Sequence, residues 1–279
     1  MNSFPAHITG RYSVVVLDID GTITGRDLGI SPRLMQAVAG ARDAGAIVSL
    51  ATGRMMRSAR RFSALLGADG PAISYQGALT FDPASGEVLR HERLDAPTAR
   101  TAIQALEAQG AHVNVYIDDE VYVAASDPWA DGYATRMQVE LRTVPDLAAI
   151  AAQSPTLVLG VDEERGAGHL ADHMSGLLDG TALVTHSLRH FCEVGSVRAG
   201  KEQALAHLSG LLGIPPEAFV AFGDGRGDVG MLRWAGLGVA MGSGHSAARA
   251  AADFVAPTLA EDGVAQVLEA MLDRGLLGR

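Results

Sequence analysis

The feature that most constrains this chain is a set of short apolar runs that do not alternate. "SVVVLDID" (13–20), "AIVSLATGR" (46–54), "PAISYQG" (71–77), "AFVAFGDG" (218–225) and "LGVAMGSG" (237–244) are rich in Val, Ile and Ala, and each runs into glycine or polar loop residues. A strand with one wet face alternates polar and apolar side chains, whereas a strand covered on both faces does not. Helical patterns lie between the runs. "SPRLMQAVAGARDAG" (31–45) opens on an N-cap Ser and a first-turn Pro and closes on Gly, and "KEQALAHLSGLLG" (201–213) carries Leu and Ala at helical spacing up to a Gly. Strands alternating with helices predict an α/β fold built on a doubly wound, Rossmann-like parallel sheet.

The middle of the chain follows a different rule. "HVNVYIDDEVYVAA" (112–125) predicts two strands around an acidic turn, hence an antiparallel hairpin. Helical stretches cover 95–110 and 166–180. This predicts an α+β cap inserted into the parallel-sheet domain, with a core of 1–82 plus 191–279 and a cap of 83–190. A length of 279 residues is long for one compact core and fits two.

A net charge of −10 argues against a nucleic-acid or anionic-membrane partner. The longest apolar runs fall far short of a membrane span, and "MNSFPAHITGRYS" lacks the basic and apolar regions of a signal peptide. With Cys192 as the one cysteine there is no intrachain disulfide, which fits a cytoplasmic location; Cys192 itself reads as a small buried hydrophobe. No pair spacing among the nine His suggests zinc, and nothing signals an oligomeric state.

In an open parallel sheet, ligands bind beyond the carboxyl ends of the strands. The first run ends in Asp18, Asp20, Gly21 and Thr22, the second in Thr52, Gly53 and Arg54, and the fourth leads to Asp224 and Asp228. Taken singly, Asp-Gly pairs are common turn residues and a Thr can cap the next helix. Taken together, they bring four carboxylates and a hydroxyl to one rim. Four such acids repel unless a cation sits among them, and a hard divalent ion with oxygen ligands, most simply Mg²⁺, answers that need.

These segments resemble the haloacid dehalogenase (HAD) superfamily, and in particular the Cof-type phosphatases, whose large α/β cap follows the third core strand. "VLDIDGTIT", "LATGR", "RAGKEQAL" and "AFGDGRGDVGML" are similar to its four motifs, and "GLGVAMGSG" with "AADFVAPTLAEDGVA" to its C-terminal run. There are two departures: Gly227 stands where the fourth motif usually has Asn, and Gln76 stands where Asn is common.

The resemblance implies phosphoryl transfer through an aspartyl-phosphate. Asp18 is then the nucleophile and Asp20 the general acid and base. Asp18, the Asp20 main-chain carbonyl, Asp224 and Asp228 hold Mg²⁺. Thr52, Gly53, Lys201 and Gln76 bind the phosphate or substrate. The substrate is a small phosphorylated metabolite, a sugar phosphate or a phosphorylated cofactor, with the cap covering the part beyond phosphate. Tyr116, Tyr122, Trp129, His186 and Arg189 are cap candidates that read equally as core or surface residues.

Other classes compete. A receiver domain also combines an α/β sheet, acids, Mg²⁺, Thr and Lys, but "AISYQG" offers no Asp acceptor and a receiver needs no long insertion. A non-catalytic phospho-ligand-binding protein would draw on the loss of Asn at 227. A dehalogenase does not use the second Asp of "DID", whereas a phosphomutase differs mainly in where the phosphoryl group goes next. Lys201, the only lysine among 22 basic residues, favours catalysis. A cation at a helix start opposes the helix dipole, so an exposed surface role explains it poorly. A compact ammonium fits a crowded site that a planar guanidinium would overfill.

Overall fold

The structure is a computed structural model that describes residues 4–25, 27–126, 128–137, 139–186 and 189–278. The chain forms two compact units: Met1–Leu89 with Lys201–Arg279, and Arg90–Gly200. In chain order, the first unit begins with β1 (Val14–Leu17), α1 (Pro32–Asp43), β2 (Ile47–Leu50), α2 (Met56–Leu66), β3 (Ala72–Ser74) and β4 (Leu79–Phe81), and β5 (Val88–His91) runs across the division after Leu89. The second unit continues with α3 (Ala96–Ala108), β6 (His112–Ile117), β7 (Glu120–Val123), α4 (Pro128–Met137), β8 (Leu141–Thr143), α5 (Leu147–Ile150), β9 (Leu157–Val161), α6 (Gly168–Leu177), β10 (Ala182–Thr185) and β11 (Phe191–Ser196). The chain then returns to the first unit with α7 (Lys201–Leu212), β12 (Phe219–Gly223), α8 (Val229–Trp234), β13 (Leu237–Met241), α9 (Ser246–Ala251), β14 (Phe254–Ala256) and α10 (Gly263–Asp273).

The first unit is built on a sheet of order β14-β13-β12-β1-β2, every pair parallel. β1 is an interior strand, flanked by β12 and β2 and wholly buried, which is why its Val-Val-Val-Leu run shows no alternation. Val14 and Val16 pack with Phe219, Ala221 and residues of α7, α8 and α9. Val15 and Leu17 therefore point to the opposite face, the side on which α1 and α10 pack together. Ser31 caps α1 by accepting from the Leu34 amide at 3.1 Å, with Pro32 in the first turn, as the sequence predicts.

The third run departs from the parallel-strand expectation. β3 is three residues long, meets β2 through a single parallel bridge between Ala51 and Ile73, and pairs antiparallel with β4 in a small sheet of order β3-β4-β5. It stops because Tyr75 and Gln76 adopt positive φ, 51° and 55°, turning the chain back.

The second unit has a sheet of order β10-β11-β9-β6-β7-β8, antiparallel apart from β7 with β8. The β6–β7 hairpin turns at Asp118 and Asp119, whose φ values of 50° and 62° match the twist of the flanking strands. Val113, Val115 and Ile117 face a core with Ile103, Leu106, Leu170 and Met174. The other face of β6 carries His112, Asn114 and Tyr116, and there the Tyr116 hydroxyl pairs with Tyr133 of α4 at 2.6 Å and Trp129 stacks on Tyr133. Tyr116 is thus buried in the unit's interior, whereas Arg189 is exposed. Cys192 is buried in the core, and desolvation pushes its thiol up to about 12, so it is an inert hydrophobe.

The divide falls elsewhere than the sequence reading placed it. Residues 83–89 stay with the first unit, and 191–200 belong to the second. The physical reason is that β11 pairs with β9 and β10 and has no place in the parallel sheet. No helix among the described residues is long and apolar enough to cross a membrane.

Candidate active site

The parallel ladder sets where each acid lies. Beyond β1, Asp18 extends the pairing by donating its amide to Phe222 O at 3.0 Å; beyond β2, Thr52 donates to Ile73 O at 2.9 Å. Asp224 directly follows β12, and Lys201 is the first residue of α7. The ends of β1 and β12 and the start of α7 thereby converge on one point, where Lys201 Nζ, 183 positions from Asp18, donates to Asp18 Oδ1 at 2.6 Å and to Asp228 Oδ1 at 2.5 Å.

The other oxygen of Asp228 accepts from the Asp224 amide at 2.9 Å and the Gly225 amide at 2.8 Å. Asp228 therefore ties the β12–α8 loop to the lysine. Oxygens of Asp18, Asp224 and Asp228 lie within 4.8 Å of one another. Gly21 makes this convergence possible. Its φ is +81°, and a Cβ there would stand 2.2 Å from Asp224 Oδ2, so only glycine fits.

The electrostatics are those of acids outnumbering cations. Burial holds the Asp18 carboxyl well above the usual range; Lys201 pulls it down, while Asp228 and Asp224 push it up. Burial, then the charge of Asp228, raises Asp224 to about 7. Burial alone would lower Lys201, which is only 5% exposed, but Asp18 and Asp228 outweigh it and hold the ammonium above its ordinary value. One ammonium shared by two of three clustered carboxylates leaves negative charge unmatched. Three hard oxygen donors in that state fit a divalent cation of the Mg²⁺ kind.

Asp20 stands apart from this cluster. Its carboxylate is gripped by Arg54, with Nε to Oδ2 at 2.7 Å and the terminal nitrogen to Oδ1 at 2.6 Å. The sequence reading counted Arg54 among the strand-end residues and gave it no task. Its partner lies 34 positions away, and the only signal is that β1 and β2 are neighbours in the sheet.

Thr52 is fully buried, and its hydroxyl oxygen accepts from the Arg54 amide at 3.1 Å, which leaves the hydroxyl proton to donate. Gln76 donates its amide to Thr52 O at 3.1 Å, and its side chain lies over two glycines. A Cβ on Gly53 would meet Gln76 Nε2 at 2.5 Å, and one on Gly227 would meet Gln76 Oε1 at 3.1 Å. The two departures from the family pattern, Gln76 and Gly227, are thus in contact: the longer amide occupies space that a side chain at 227 would enter.

Over residues 15–268 the sequence matches the haloacid dehalogenase-like hydrolase family. It is 29% identical over 263 residues to the 5-amino-6-(5-phospho-D-ribitylamino)uracil phosphatase YitU of Bacillus subtilis (strain 168), a match covering 92% of this chain and 96% of that protein. It is also 29% identical over 273 residues to the pyridoxal phosphate phosphatase YbhA of Escherichia coli (strain K12), covering 91% of this chain and 97% of that one. The fold is similar to that of a haloacid dehalogenase-like hydrolase from Bacteroides thetaiotaomicron, with a TM-score of 0.82 at 26% identity over 94% of this chain and all of that one. With nearly the whole length matched in sequence and in fold, the chain belongs to the haloacid dehalogenase-like hydrolases.

Proposed function

We propose that this hydrolase is a Mg²⁺-dependent phosphatase that cleaves a small phosphorylated metabolite, a sugar phosphate or phosphorylated cofactor, through an aspartyl-phosphate on Asp18. The observation that carries the reading is the Lys201 bridge between Asp18 and Asp228, with Asp224 beside it. It supplies a carboxylate nucleophile, a fixed cation and a set of oxygen donors at one point. The two curated relatives compared above are named as phosphatases of phosphorylated small molecules, which supports the substrate class.

An oxygen of Asp18 attacks phosphorus in line, and the bond from phosphorus to the leaving oxygen breaks. Asp20 gives that oxygen its proton, then takes one from the water that attacks the same phosphorus, which frees Asp18 and releases inorganic phosphate. Lys201 offsets charge on Asp18 and on the phosphoryl oxygens. Thr52 and the Gly53 amide donate to those oxygens, and Gln76 lies over the same loop. Asp18, the Asp20 carbonyl, Asp224 and Asp228 would hold Mg²⁺, which when bound neutralises the phosphoryl charge and these carboxylates. A cytoplasmic setting suits a chain with one buried cysteine.

The test is a screen of the purified protein with Mg²⁺ against a panel of phosphorylated metabolites and p-nitrophenyl phosphate. Release of inorganic phosphate, lost on thorough chelation and restored by Mg²⁺, is the expected result. Full activity under chelation would remove the metal from the reading, and no hydrolysis of any member would remove the phosphatase.

A further inference from the structure

The Arg54–Asp20 pair is an ion pair whose construction exceeds its value to stability. The Asp20 side chain is 52% exposed, and pairs in such settings contribute about 0–1 kcal/mol. Yet the arginine is immobilised from several sides, and its own side chain is only 9% exposed. A terminal nitrogen donates to Ser58 Oγ at 3.2 Å, and the guanidinium carbon stands 4.9 Å over the Phe62 ring, both residues of α2. Its backbone is fixed as well, the amide by Thr52 Oγ1 and the carbonyl by the Tyr75 amide at 3.0 Å.

A rigid fork on a half-exposed carboxylate does one thing well. It removes the free rotation of a short side chain and sets the direction its oxygens face. The pair also links the loop after β1 to the loop after β2, so the direction is set relative to Asp18 and Thr52 together. We propose that Arg54 is the positioning residue for Asp20, the brace that aims its carboxyl at the leaving oxygen without itself touching substrate. This rests on the reading of Asp20 as general acid and base. It does not rest on which metabolite the enzyme cleaves.

The experiment uses the full-length protein with Mg²⁺ and aryl phosphates of rising leaving-group basicity, from p-nitrophenyl to phenyl phosphate. A good leaving group departs with little need of a proton, while a poor one depends on the acid. Asp20→Asn should lose kcat/KM steeply along the series, on the order of 10²-fold or more for phenyl phosphate. Arg54→Lys keeps the charge but not the fork. It should follow the same slope, about tenfold down on phenyl phosphate and less than about threefold down on p-nitrophenyl phosphate, since it leaves the acid present in roughly three rotamers. The double variant should be no worse than Asp20→Asn, because both changes remove one function.

Equal losses on all esters, additive losses in the double variant, or a gain in rate on phenyl phosphate would overturn the positioning role. A flat response of Asp20→Asn would instead overturn the parent reading of Asp20, so the two failures are distinct. Should Arg54→Lys fail to fold, Arg54→Gln carries the same test with the same outcomes.

Discussion

Raising the pH of the metal-free protein should weaken it, and a measurable part of the weakening should trace to Asp224. Burial and the neighbouring Asp228 move its carboxyl from 3.8 in the unfolded chain to about 7 in the fold. A group raised on folding favours the folded state fully below its unfolded midpoint, and that contribution is lost as pH rises through the folded one. The window is therefore 3.8 to about 7, and the whole contribution is about 4 kcal/mol at 1.36 kcal/mol per tenfold in proton concentration. Between about pH 4.5 and pH 8 some 3 kcal/mol of it disappears, roughly 6–12 °C in Tm for a unit of this size.

The assay compares thermal melts of wild type and Asp224→Asn in EDTA at those two pH values. The variant stays neutral throughout, so titrations remote from the site cancel in the difference, and the fall it brings to its neighbour Asp18, which Asp224 helps hold up, adds in the same direction. It should gain on wild type as pH rises. Saturating Mg²⁺ near pH 8 should raise the wild type above the variant, because the ion binds the ionised carboxylates of the folded state. A difference that does not change with pH, or that moves the other way, would show that Asp224 is not held protonated by its neighbours, and the acid-excess picture of the site would fall.

Asp18→Asn should cut phosphatase turnover by at least about 10³-fold while leaving the melt within a few degrees, measured on p-nitrophenyl phosphate and by calorimetry; near wild-type activity would exclude Asp18 as nucleophile. Lys201→Arg keeps the charge but places a planar guanidinium between Asp18 and Asp228, where the ammonium spans contacts of 2.6 and 2.5 Å; activity should fall by about tenfold or more with the fold intact by circular dichroism, and an unchanged rate would make the single lysine incidental. Gly227→Asn should cost up to about 1 kcal/mol, because Gln76 Oε1 would stand 3.1 Å from the new Cβ and must give by a few tenths of an ångström, and Gln76→Asn in the same chain should recover most of it. If the second change gives no recovery in Tm, the contact between 76 and 227 is not what opposes a side chain at 227.

Much of this site was legible because it rests on strand ends. Asp18, Asp224 and Lys201 follow or open elements whose apolar pattern marks them, and the rule for parallel sheets says where such residues meet. Legibility stopped where partners are set by the sheet's lateral order. Arg54 meets Asp20 only because β2 lies beside β1, and Gln76 meets Gly53 and Gly227 only because Tyr75 and Gln76 turn the chain back. Positive φ at two non-glycine residues leaves no clear mark in composition. The second unit's far boundary was misplaced for a related reason. "FCEVGS" is a short apolar run like those of the first unit, and the partner of such a run is decided by pairing with β9 and β10, not by its own residues.

The place of β1 between β2 and β12 has a consequence for synthesis of the chain. β1 needs β2 on one edge and β12 on the other, and β12 begins at Phe219. The whole second unit, Arg90–Gly200, lies between them in the order of translation. At about 5–20 residues per second, the stretch from Leu50 to Gly223 takes roughly 10–35 s to emerge. Throughout that interval β1 keeps one edge of bare amides and carbonyls and an uncovered Val-rich face. The later-made unit can close first, because all of its strands are local to it. The first unit can thus be completed only once Lys201–Arg279 has emerged, and that wait is when a bare strand edge is most open to pairing with the wrong strand.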